Sequence, residues 1–243
     1  VWLQTGGRGR YSGWCGGKCR ADGSYAGDGW PGQGTARLQV QICFFGDSFT
    51  HGVGDPAGLG WRGRVVRRLT GVRPDVTAYD LGIRRNTSAD ILLRRESEAR
   101  ARLAPGQVHR LVFGFGSNDC ADDGTGRGRV SRSDTLRNAR SMLSRAVEVA
   151  PTLLIGPPPV LDDVAADRRM AGLEPELRGV AEEFGVPFLP VFHRLATEPA
   201  WTAGAAAGDG THPDGNGYRF LADCIWNWPA FREWAGLLPV DVA

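Results

Sequence analysis

Lysine is almost missing from this chain. Lys18 is the only one, and every other basic residue among the 29 Lys+Arg is arginine. Together with 35 glycines, that bias reads as GC-rich coding DNA and carries no function by itself. Long apolar runs are missing too: no window approaches the roughly 18 consecutive apolar residues of a membrane span. The first residues, VWLQTGGRGRYSGWCGG, contain no apolar signal-peptide core. An excess of one charge is also lacking, since 29 basic residues face 27 acidic ones for a formal net charge of +2. A basic stripe for nucleic acid is therefore not expected. Five cysteines in 243 residues do not make a disulfide scaffold. What remains is the expectation of a soluble, cytoplasmic protein, with 42% hydrophobic residues to build a core.

Residues 1–37 differ from the rest. They hold eleven glycines, three tryptophans (Trp2, Trp14, Trp30) and two cysteines, with no helical or strand period. Glycine-rich sequence with so few aliphatic residues cannot offset its ordering entropy. A poorly ordered extension is expected there, followed by one domain over 38–243. Cys15 and Cys19 form an isolated Cys-x-x-x-Cys, an incomplete metal or redox site without a second pair or a histidine.

From Leu38 onward the pattern becomes regular. Apolar runs at 38–45, 75–82, 108–116, 152–156 and 186–192 predict five strands. Between them, Trp61, Val65 and Leu69 mark one helix face. Thr87-x-x-Asp90 opens a helix to about Leu103, and Ser131-x-x-Asp134 opens another with Leu136, Ala139, Leu143, Ala146 and Val147 inward. Further helices are predicted within 173–184 and after Pro213, the last with Tyr218, Leu221, Ala222 and Ile225 inward. Alternating strands and helices predict an α/β fold with a parallel sheet covered on both faces.

Ligands of such sheets sit beyond the carboxyl ends of the strands. The loops there read Gly46-Asp47-Ser48-Phe49-Thr50, then Gly82-Ile83-Arg84-Arg85-Asn86, then Gly116-Ser117-Asn118-Asp119, with Asp209-Gly210-Thr211-His212 before the last helix. Those loops hold the parts of an acyl-transfer site. Ser48 is a candidate nucleophile that needs a base, and His212 is the candidate base. Asp209 can hold the other imidazole nitrogen. The backbone N–H groups of Ser48 and Gly82 and the Asn118 amide are candidate oxyanion donors.

FFGDSFTHGVG (44–54), the loop at Gly82, GSND (116–119) and DGTHPDGNGY (209–218) resemble the four sequence blocks of the SGNH hydrolase superfamily, the GDSL-type esterases and lipases. The resemblance spans roughly residues 40–228 and maps the four letters onto Ser48, Gly82, Asn118 and His212. It implies a flavodoxin-like three-layer fold, with a five-stranded parallel sheet in order 2-1-3-4-5. It also implies hydrolysis of a small-molecule ester or thioester without metal or cofactor. A carbohydrate acetylesterase is the alternative on the same fold. A silent binding module would require loss of a triad or oxyanion residue, and none is lost. The motif reads Gly-Asp-Ser-Phe, which keeps the nucleophile.

Plainer roles exist for these residues. Ser48 can cap a turn, Asp47 and Asp119 read as turn residues, Asn118 can hold its own backbone, and Gly82 can simply end a strand. His51 has no aspartate partner close in sequence. His109 and His193 read as strand-edge residues, and Cys43 and Cys120 as free thiols. Asp122 and Asp123 read as a solvated loop, and Arg62, Arg64, Arg67 and Arg68 as the wet face of their helix. The segments 53–61, 121–131, 157–172 and 195–208 are expected to be loops walling the site. With Trp61 and Trp201 among them, they predict an apolar acyl pocket of modest size.

Overall fold

The structure, a computed structural model, describes residues 38–237. The expected extension over 1–37, with Cys15 and Cys19, lies outside them. The elements run β1 (Val40–Gly46), α1 (Ser48–His51), α2 (Gly60–Val72), β2 (Val76–Gly82), α3 (Ser88–Arg102), β3 (Val108–Gly114), α4 (Ser117–Cys120), α5 (Arg132–Val149), β4 (Thr152–Ile155), α6 (Val164–Glu183), β5 (Phe188–Leu189), α7 (Phe192–Ala196), α8 (Pro199–Ala207), α9 (Gly215–Trp226) and α10 (Pro229–Trp234). All five strands pair in parallel, in the order β2-β1-β3-β4-β5. Every residue of β1 is buried, as a central strand covered on both faces requires. Helices α2, α8 and α9 pack together in one layer, and α3, α5 and α6 in the other.

Several sequence signals act as read. Thr87 and Asp90 form a reciprocal capping box on α3, and Ser131 caps α5 by accepting from the Asp134 N–H. Trp61, Val65 and Leu69 are buried on α2, and Tyr218, Leu221, Ala222 and Ile225 on α9. On α5, Ala139, Leu143 and Ala146 are buried, but Val147 faces solvent at 41% exposure.

Other expectations need correction. The run 186–192 pairs only over Phe188–Leu189. Pro187 and Pro190 flank that pair without N–H donors, and the Val191 and Phe192 N–H groups donate to the buried Glu174 carboxylate at 2.7 and 2.9 Å. The chain therefore leaves the sheet edge and turns into α7, which carries His193. The segment 157–172 is not all loop. Asp163 caps α6, which runs through Pro175 because Ala166, Met170, Leu173, Leu177 and Val180 all point into the core. Core burial there outweighs the proline, which costs a helix interior about 3 kcal/mol. Likewise 195–208 contains α8, capped by Glu198. Asp214, not Pro213, caps α9, and α10 follows it.

Candidate active site

Strands β1, β2 and β3 end in Gly46, Gly82 and Gly114, which lie side by side in register. That row lets α1 settle on the sheet edge. A Cβ on Gly46 would stand 2.0 Å from Thr50 Oγ1, and one on Gly82 would stand 2.4 Å from the His51 nitrogen. Asp47 caps α1 by accepting from the Phe49 N–H at 2.9 Å. Below, the Gly46 carbonyl accepts from the Ile83 N–H at 3.1 Å and from Arg94 Nη2 at 3.0 Å. Ser48 is thus presented above the carboxyl end of β1.

The loop before α9 delivers the other two candidates. His212 Nε2 lies 2.8 Å from Ser48 Oγ, and His212 Nδ1 lies 2.7 Å from Asp209 Oδ2. Asp209 Oδ1 also accepts the His212 and Thr211 backbone N–H groups at 2.8 and 3.1 Å. One carboxylate therefore fixes both the imidazole and the loop that carries it. Burial alone would raise the Asp209 carboxyl, but the His212 backbone N–H, the His212 ring and the Thr211 N–H outweigh it and hold it at about 2. Asp209 is ionised throughout the neutral range. The carboxylate orients the imidazole so that Nε2 is free to accept the Ser48 proton.

The imidazole is braced from behind. Phe49 packs on His212 with ring centroids 5.0 Å apart, and Trp201 stacks on Phe49 at 5.8 Å. Trp201 is fully buried and Trp61 is 3% exposed, so neither lines a substrate pocket. This corrects the apolar pocket expected from these two tryptophans. Trp201→Ala is expected to cost about 3–5 kcal/mol of unfolding free energy. Trp201→Phe is expected to cost much less, because Trp201 Nε1 has no hydrogen bond to lose. Denaturant titration of the two variants separates these values, and equal losses would contradict the packing role.

Asn118 lies on α4 with its amide held at both ends. Nδ2 donates to Asp47 Oδ2 at 3.2 Å, and Oδ1 accepts from Arg129 Nη1 at 3.3 Å. Burial pushes the Asp47 carboxyl up to about 7 against the pull of the Phe49 N–H and the Asn118 amide. The carboxyl of Asp119 is likewise raised by burial. Asp119 is not a simple turn residue. It is 1% exposed and accepts from the Ser88 N–H at 2.9 Å, the Ser88 hydroxyl, and the Thr135 hydroxyl at 2.9 Å.

Gly82 departs from expectation. Its N–H donates to Asp80 Oδ1 at 3.0 Å, and it does not line the cavity beside Ser48. The strand continues through Gly82 in register with Gly46, so the loop reaches the cavity only at Arg84 and Arg85. There Arg85 holds a left-handed φ of 69°, in a turn closed by the Asn86 N–H to Ile83 carbonyl bond at 3.1 Å. The backbone N–H of Arg85 makes no hydrogen bond among the described residues.

The cavity itself measures about 370 Å³. Ser48, His212, Asn118, Arg84, Arg85 and Arg129 line it, together with the apolar side chains of Phe49, Ala121 and Val160. Asp122 and Asp162 stand at its exposed margin. A more apolar cavity of about 230 Å³, lined by Phe45, Leu111 and Phe113, holds His109 and no serine or cysteine.

The remaining candidates fall outside the cavity. His51 Nδ1 lies 3.0 Å from Asp80 Oδ2, a partner distant in sequence that Arg62 also binds at 3.1 Å. Arg64 is no wet-face residue: it pairs with the buried Asp55, whose carboxylate also accepts from the Ala57, Leu59 and Gly60 N–H groups. In the sequence Asp55 is one residue of the 53–61 loop, although an aspartate ahead of a glycine-rich turn is a usable signal. Cys43 and Cys120 are free thiols, and burial pushes both up to about 12. Asp122 and Asp123 are exposed, as expected of a solvated loop. Among the described residues, no three His, Cys, Asp or Glu side chains cluster as metal ligands would. No helix among them is long and apolar enough to cross a membrane.

A parallel α/β sheet with a Ser–His–Asp chain at its carboxyl edge has the architecture of a serine hydrolase. Residues 44–220 match the model of the GDSL-like lipase/acylhydrolase family, and the chain belongs to that family of carboxylic ester hydrolases. Among solved structures, it is similar to an acetylxylan esterase from Geobacillus stearothermophilus. That pair is 23% identical with a TM-score of 0.63, over 84% of this chain and 97% of the esterase. It is also similar to a lipase/acylhydrolase from Enterococcus faecalis, at 23% identity and a TM-score of 0.64, over 84% of this chain and all of that one, 100%. No curated protein matches this chain in sequence.

Proposed function

We propose that the chain hydrolyses esters of small acyl groups through an acyl-enzyme on Ser48. The observation that carries this reading is the continuous chain from Ser48 Oγ to His212 at 2.8 Å and on to Asp209 at 2.7 Å. Ser48 Oγ attacks the ester carbonyl while His212 Nε2 takes its proton, and Asp209 stabilises the imidazolium. The tetrahedral intermediate expels the alcohol, which receives that proton. Water then attacks the acyl-enzyme by the same route and releases the acid. The oxyanion is held by the Ser48 N–H, the Arg85 N–H and Asn118 Nδ2, with Arg85 taking the part expected of Gly82. The activity resides in 38–243. A cytoplasmic location belongs to this reading, in keeping with unpaired Cys43, Cys120 and Cys224.

Acyl size follows from the lining. The cavity is small, about 370 Å³, and Phe49 and Val160 are only 2% and 6% exposed, which favours a short acyl group over a long hydrocarbon chain. A sugar acetate is the second reading, favoured by the polar lining. It is supported by the Geobacillus esterase, whose variants described as catalytic mutants alter one serine, one aspartate and one histidine. Nitrophenyl esters from acetyl to palmitoyl, acetylated xylo-oligosaccharides and acyl-CoA form the test panel. Acetyl or propionyl esters are expected to be turned over at least about 100-fold faster than palmitoyl, a gap that several unburied methylenes easily produce. Palmitoyl as the best substrate would overturn the small-acyl reading.

A further inference from the structure

We propose that the ester carries an anionic oxygen group, bound by the guanidinium groups of Arg84 and Arg85 at the mouth of the cavity. This inference rests on the esterase reading above. The turn at 83–86 places two consecutive arginines beside Ser48. Arg85 does so at φ 69°, a region that disfavours a side chain and normally takes glycine or asparagine. The turn is clamped in this form by Arg129, whose Nη1 donates to the Arg85 carbonyl at 3.0 Å. A non-glycine residue held there bears a steric cost, and its return here is a guanidinium at the cavity wall.

None of the three carboxylates that line the cavity with these arginines, Asp122, Asp162 and Asp163, forms an ion pair with Arg84 or Arg85. Among the described residues the Arg85 side chain has no carboxylate or hydrogen-bond partner. Among the described residues, Arg84 meets only Asp209 Oδ2, at 3.6 Å, beyond hydrogen-bond distance and with the arginine side chain 60% exposed. Arg129 gives its Nη1 to two uncharged oxygens, on Arg85 and Asn118. The acidic residues at the cavity are mostly committed elsewhere. Asp122 accepts the Gly124 and Gly126 N–H groups, and Asp163 caps α6 through the Ala166 N–H and stands 3.7 Å from Arg169. Of the three lining carboxylates, Asp162 is the one whose side chain has no partner among the described residues. Guanidinium groups in this state suit a carboxylate or another planar oxyanion better than a neutral sugar or alkyl chain.

The test pairs isosteric esters. One pair places the anion on the acyl side, nitrophenyl hemisuccinate against nitrophenyl butyrate. The other places it on the alcohol side, an acetylated hydroxy acid against its methyl ester. In one of the pairs, kcat/KM is expected to favour the anionic member at least about tenfold at low salt, as a charge-assisted contact allows. The ratio is expected to shrink in about 0.5 M salt. Arg85→Gly keeps the backbone N–H and suits the left-handed φ, so its expected effect is a ratio several-fold closer to one, with Arg84 left to bind the anion, and Arg85→Lys is expected to recover part of the preference. A ratio of one or below in both pairs, or one that Arg85→Gly leaves untouched, overturns the inference while the esterase reading stands. No turnover of any ester overturns both.

Discussion

Ser48→Ala is expected to lower kcat by about five to six orders of magnitude, the scale seen when the nucleophile of a Ser–His–Asp unit is removed. The alanine removes one oxygen and nothing that holds α1. The cap comes from Asp47, and the fit of the turn comes from Gly46 and Gly82 beneath it. The lost Oγ to His212 bond is worth about 1 kcal/mol to stability. Thermal unfolding of the variant should therefore stay close to that of the parent while activity disappears. A drop in activity matched by a collapse in melting temperature would instead make Ser48 a structural residue.

Asn118→Ala is expected to lower kcat by about 10²–10³ with KM within a few-fold. A donor aimed at the developing oxyanion helps the transition state more than the bound ester. Its neighbour supplies the contrast. Asp119→Ala leaves the Ser88 N–H and the Ser88 and Thr135 hydroxyls without their buried acceptor. Its expected cost is about 2–5 kcal/mol of stability. Two adjacent residues thus separate chemistry from folding: kcat per folded molecule falls for Asn118→Ala, and the melting temperature falls for Asp119→Ala. The reverse pattern would remove Asn118 from the site and leave only backbone donors for the oxyanion.

The sheet, its parallel sense and the Ser48–His212–Asp209 grouping are legible in sequence because each has a local cause. Apolar runs end in glycines, Thr87 and Asp90 announce a capping box, and Asp209 reaches His212 within one short loop. What escapes is decided by distant packing. Pro175 argues against a helix that the core contacts of Met170, Leu173 and Leu177 nevertheless maintain. Trp201 looks like a pocket aromatic until Phe49 and Tyr218 enclose it. Asp119 looks like a turn residue until Ser88 and Thr135, 31 and 16 positions away, converge on it. The loop after β2 misleads for a conformational reason. A glycine there draws attention to Gly82, yet the left-handed position beside the cavity belongs to an arginine.

Turnover through an acyl-enzyme requires Ser48 to become acylated with His212 as its base. Reaction with a fluorophosphonate, followed by peptide mass spectrometry, tests it most directly. One adduct per chain is expected, on Ser48, and it should nearly disappear in His212→Ala, because the hydroxyl then lacks the group that takes its proton. An adduct on another serine, or one on Ser48 that forms as fast without His212, would contradict it.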